Sequence, residues 1–215
     1  MRTVTSITLG ISLLVFGAGS VALSGQGATV QTHIGHVLDS FNGTPMNMGL
    51  LPTAMAEAKT AAQHAGLAAK STSLQMMQTH AGHVINAIDP TIVAQGPGAG
   101  YGVKKAAQGV AQHAGLAAMT ADANAMVKTH SMHVTTAANN VVAMSDDIVA
   151  IAQKIRMSTS MDEAQKLAME MQTKAEQLTT GVDADNNGQI SWNKPEGGLN
   201  QAQQHMMFMK MAAGS

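Results

Sequence analysis

The octapeptide AQHAGLAA occurs twice without a change, at 62–69 and at 111–118. Eight identical residues in a chain of 215 mark an internal duplication. Alanine and leucine are strong helix formers, so the duplicated unit is helical. The Ala-Gly-Leu-Ala-Ala after each histidine removes bulk where helices must approach. Apolar residues at three- and four-residue spacing predict helices over about 54–69, 74–88, 103–118 and 123–155. A further helix is expected from Ser160, which reads with Glu163 as a capping-box pair, to about residue 179, with Gly181 as its stop. The clusters NGTP, DP and GPGAGYG punctuate these segments, and no alternating strand pattern interrupts them. The expected fold is an all-α bundle of six or seven helices.

A second motif accompanies the first. THIGHV, THAGHV and THSMHV begin at residues 32, 79 and 129, each placing two histidines three residues apart. The Gln-His of the octapeptide recurs a third time in QAQQHMMF. All nine histidines then fall into sets of a His-x-x-His pair followed by a Gln-His: His33 and His36 with His64, His80 and His83 with His113, His130 and His133 with His205. Positions i and i+3 lie roughly 60° apart around a helix, so both rings can reach one centre, and an antiparallel neighbour can supply a third. Each set is expected to cluster in space. The alternative is that the pair of one repeat meets the Gln-His of its neighbour, for example His80 and His83 with His64.

Three neutral imidazoles with an open position suit copper or zinc. Opposed histidines clamping haem b between helices are an alternative, although aromatic residues make up only 2% of the chain and leave little of the usual pocket lining. Covalent haem is excluded because there is no cysteine. Di-iron carboxylate chemistry is set aside because Asp39, Glu57 and Asp89 fall at unmatched offsets from the histidines. The bland alternative is a noncatalytic structural or interaction protein whose histidines pack the core, with the preceding threonines bonded to their own helices. The 18 methionines cluster partly around the histidines, at Met46, Met48, Met76, Met77, Met206, Met207, Met209 and Met211. Thioethers favour Cu(I), and Met206 and Met207 read as surface-accessible donors. Core filling is the competing use of methionine.

The stretch DADNNGQISWNKPEGG, at 183–198, carries a different signal. Asp183, Asp185, Asn187, Gly188 and Ile190 occupy positions 1, 3, 5, 6 and 8 of a pattern that resembles the calcium loop of the EF-hand family. The resemblance covers this loop alone and implies a Ca²⁺ site built from Asp183, Asp185, Asn187 and the Gln189 carbonyl. Position 12 holds Lys194, and Glu196 supplies the missing carboxylate if the loop is lengthened after Trp192. The implied role is structural, setting the angle at which the His205 helix returns to the bundle.

The first residues, MRTVTSITLGISLLVFGAGSVALSGQGA, set Arg2 before an apolar run and small residues, the layout of a secretory signal peptide. Cleavage after Ser24 is expected, and an uncleaved anchor is the rival. The organisation read is therefore a signal peptide at 1–24, a His-rich bundle with internal repeats at 25–180, and an EF-hand-like loop with a C-terminal helix at 181–215. The mature protein is expected in the periplasm or secreted, without a stable membrane anchor, and with metal ions and a periplasmic protein as partners. A net charge of −1 and 12% charged residues give no footprint for nucleic acid. No nucleophile–base pair, paired catalytic carboxylates or phosphate loop suggests an enzyme.

Overall fold

The computed structural model describes residues 27–214. The expected signal peptide at 1–24 lies outside the described residues. Seven α-helices and one short 3₁₀ turn (Pro45–Asn47) make up an all-α bundle: α1 Val30–Leu38, α2 Leu50–Lys70, α3 Leu74–Ile88, α4 Val103–Met119, α5 Ala125–Met157, α6 Met161–Thr180 and α7 Leu199–Ala213. There is no strand among the described residues beyond an isolated bridge between Ser40 and Met48. None of these helices is long and apolar enough to cross a membrane.

The bundle is organised around α5. With 33 residues it runs about 50 Å, enough to pack against α3, α4, α6 and α7 along its length. The core it shares with them is built from Ala, Val, Ile and Leu, with Met77, Met171, Met206 and Met209 as the buried methionines. Small residues let the helices approach closely. A Cβ on Gly109 of α4 would sit 2.7 Å from a Leu50 methyl of α2, so a larger residue there would force the Leu50 side chain to shift.

The helix ends are held by specific groups. Thr29 and Thr32 form a reciprocal capping box at the start of α1, and Asp122 from the α4–α5 turn accepts from the Val30 amide at 3.2 Å. Ser160 caps α6 by accepting from the Glu163 amide, but the expected capping box is only half formed. The Glu163 carboxylate accepts instead from the Ser158 hydroxyl at 2.9 Å, and that same hydroxyl accepts from the Ser160 amide. Gly181 ends α6 with φ at +81°, a left-handed conformation natural to glycine. Glu57 is 1% exposed on α2 and accepts from the amides of Ala99, Tyr101 and Gly102, which fastens the glycine-rich loop at the start of α4.

Candidate metal centres

Both histidine motifs share one burial pattern. On the His-x-x-His helices, the residues three before, one after and four after the first histidine are buried. These are Val30, Ile34 and Val37 on α1, Met77, Ala81 and Val84 on α3, and Val127, Ser131 and Val134 on α5. The Gln-His helices repeat the pattern with Ala61, Ala65 and Ala68 on α2, Val110, Ala114 and Ala117 on α4, and Ala202, Met206 and Met209 on α7. Each helix thus buries an apolar stripe and carries its histidines on the flank, at the edge of the core. The threonines before the pairs serve the helices. Thr79 and Thr129 donate to carbonyls one turn back, at 2.9 and 3.1 Å, and Thr32 belongs to the α1 cap.

The nine histidines gather into three triads: His33, His36 and His113; His64, His80 and His83; His130, His133 and His205. Within each, one ring nitrogen per residue lies within 4.8 Å of the others, a grouping able to hold a metal ion. The third triad is the one expected from the order of motifs. The first two exchange their Gln-His partners, so the expected sets of His33 and His36 with His64, and of His80 and His83 with His113, are corrected, and the alternative pairing of His80 and His83 with His64 is the one found. The cause is local. Only Ser71, Thr72 and Ser73 separate α2 from α3, and so short a turn folds them into an antiparallel hairpin with His64 facing the pair that follows it. The pair on α1 is left to dock on α4, where His113 is free.

The converging atoms are equivalent in all three. His113 Nδ1 lies 3.0 Å from His33 Nδ1 and 3.4 Å from His36 Nδ1. His64 Nδ1 lies 3.1 and 3.2 Å from those of His80 and His83. His205 Nδ1 lies 3.1 and 3.3 Å from those of His130 and His133. Burial followed by the facing histidines pushes His113 and His205 down to about 4, and His64 down in the same way. Desolvation also lowers His33, His80 and His133. These six rings therefore stand neutral, with lone pairs available, at neutral pH.

Sequence reasoning missed the aromatic residues around these centres. Phe41 packs edge-on against His36 and His113, with centroids at 5.5 and 5.2 Å. Trp192 stacks on His133 at 3.8 Å, and Phe208 packs at 5.3 Å from His130. Their scarcity in the composition hid their placement. Among the methionines read as donors, Met206 is corrected: it is fully buried in the α7 stripe, where alanine stands on α2 and α4. Met77 and Met209 are likewise core residues, whereas Met207 is exposed.

In the loop between α6 and α7, carboxylate oxygens of Asp183, Asp185 and Glu196 also lie within 4.8 Å of one another. Asp183 accepts from the amides of Asn187 and Gly188, and Asn187 accepts from the Gln189 amide. Glu196 is 6% exposed, and the hydroxyl and amide of Ser191 hold its carboxyl below the ordinary range. The loop is tied to α5 through Trp192 on His133 and through the Asn140 amide donating to the Asn193 carbonyl at 3.0 Å.

Fold and sites together define a helical bundle carrying three His₃ clusters of one design. Compared with protein-family models, curated proteins and solved structures, the chain matches none of them.

Proposed function

We propose that the protein is an exported metal-binding protein holding up to three copper or zinc ions, one in each triad, with Ca²⁺ in the 183–196 loop as a structural ion. One observation carries the reading. A neutral imidazole Nδ1 bears either a proton or a lone pair, so it makes one hydrogen bond to another ring nitrogen. Each Gln-His histidine instead faces two Nδ1 atoms at 3.0–3.4 Å. A proton satisfies one such contact, but a cation satisfies all three lone pairs together. Nitrogens bound at about 2 Å to a tetrahedral ion stand about 3.3 Å apart, close to the spacing found. Haem b fits less well, since two axial nitrogens on opposite sides of an iron stand about 4 Å apart with a porphyrin between them.

For calcium, the support is the EF-hand-like spacing together with Glu196, whose carboxylate turns towards Asp183 and Asp185 where position 12 holds Lys194. Export rests on the N-terminal apolar run, and delivery of ions to a periplasmic protein, or receipt from one, follows from that compartment. Elemental analysis and an absorption spectrum of protein from its native host test the reading. Copper or zinc near three per chain is expected, with two lost when His64 and His113 are both replaced by alanine. A Soret band would establish haem instead, and neither signal would return the histidines to core packing.

A further inference from the structure

Two of the three His-x-x-His helices carry a methionine one turn before the pair. Met76 lies four residues before His80 and seven before His83 on α3. Met126 bears the same relation to His130 and His133 on α5. At 100° per residue, the two histidines stand about 40° to one side and about 20° to the other of the methionine. The thioether therefore projects from the line that bisects the pair. At an i, i+4 spacing, Met76 and His80, like Met126 and His130, are neighbours on one face of their helix. Both methionines are exposed, Met76 at 47% and Met126 at 54%, in helices whose neighbouring stripe is fully buried. An unbranched, solvent-facing thioether has the freedom to swing onto an ion held beside it.

The first triad lacks this group. The corresponding position is Thr29, the N-cap of α1, whose hydroxyl accepts from the Thr32 amide, and no helical turn precedes it. Phe41 packs against that triad instead.

We propose that Met76 and Met126 are fourth donors, making the second and third triads His₃Met sites for Cu(I), while the first remains a His₃ site. The proposal rests on the triads binding metal at all. It divides three centres of the same origin into two classes by softness: thioether sulfur favours Cu(I) and adds little for Zn²⁺. The competing role for these methionines is an apolar cover beside Leu67 and Phe208, which sit three residues after His64 and His205. Leucine preserves such a cover and removes the sulfur.

The test compares the full chain with the M76L/M126L double variant, loaded anaerobically with Cu(I) and, separately, with Zn²⁺. X-ray absorption of the wild-type Cu(I) protein should show nitrogen scattering plus a sulfur shell at roughly 2.3 Å, averaging two sulfurs per three ions. The double variant should lose that shell. Competition against a Cu(I) chelator should show about a tenfold or greater loss of affinity at two of three sites, with zinc affinity and stoichiometry unchanged. Three bound Cu(I) ions with nitrogen ligands alone, or equal Cu(I) affinity in both proteins, would overturn the thioether assignment and leave the His₃ reading intact. No histidine-dependent Cu(I) binding would overturn both.

Discussion

Each Gln-His histidine sits where two rings face it and the core lies behind it, and this shapes its response to protons. The folded pKa values of His113 and His205, about 4, lie below the ordinary 6.5. As pH falls through 6.5 the unfolded chain takes up protons that the folded chain refuses until about pH 4. The contribution of these residues to stability is thus complete above pH 6.5 and is lost between 6.5 and 4. Urea midpoints of the metal-free protein should fall from pH 7.5 to pH 5, and replacing both residues with glutamine should flatten that dependence. Glu57 is a second single-residue case. Its carboxylate is the acceptor for three loop amides, so Glu57→Ala leaves donors unpaired and should cost about 3 kcal/mol in chemical denaturation.

Among the elements, α1 has the least support of its own. Nine residues are too few for an autonomous helix, and its triad joins it to α4 across 77 to 80 residues of chain. Metal should therefore slow amide exchange over Val30–Leu38, a chelator should reverse the effect, and His113→Ala should abolish it while His64→Ala does not. The α6–α7 loop has a comparable dependence. Trp192, the single tryptophan, lies on His133, so copper in the third triad should quench its fluorescence strongly and His205→Ala should remove the quenching. Calcium binding to the folded loop stabilises by about 2.7 kcal/mol at a hundredfold excess over Kd. It should raise the melting temperature and protect 181–205 from proteolysis. Asp183→Ala should cancel both effects and weaken the third metal site alone.

For the whole molecule, the sequence by itself determined the helices from α2 to α7, the existence of three His₃ groups and the membership of the third, while α1, at nine residues, is too short to show a periodic pattern. Local causes account for this. Alanine-rich 3.6-residue periodicity has one regular solution, and a buried stripe at fixed offsets from a histidine sets that histidine on the flank. The loop signal was equally local: residues 183–190 carry their spacing in the chain, and Glu196 follows within one turn of the loop. Only the tertiary structure decided that His64 serves α3 and His113 serves α1. Duplicated helices present the same face to either partner, so the choice fell to the short turn after Lys70 and to the space left beside α4. Packing also decided which methionines are core and which face solvent. Met206 and Met207 are adjacent and chemically identical, and a 100° step around α7 puts one in the interior and the other in water. The aromatic contacts are tertiary for the same reason: Phe41 and Trp192 lie in connecting segments, whose paths are fixed by the helices they join rather than by their own sequence.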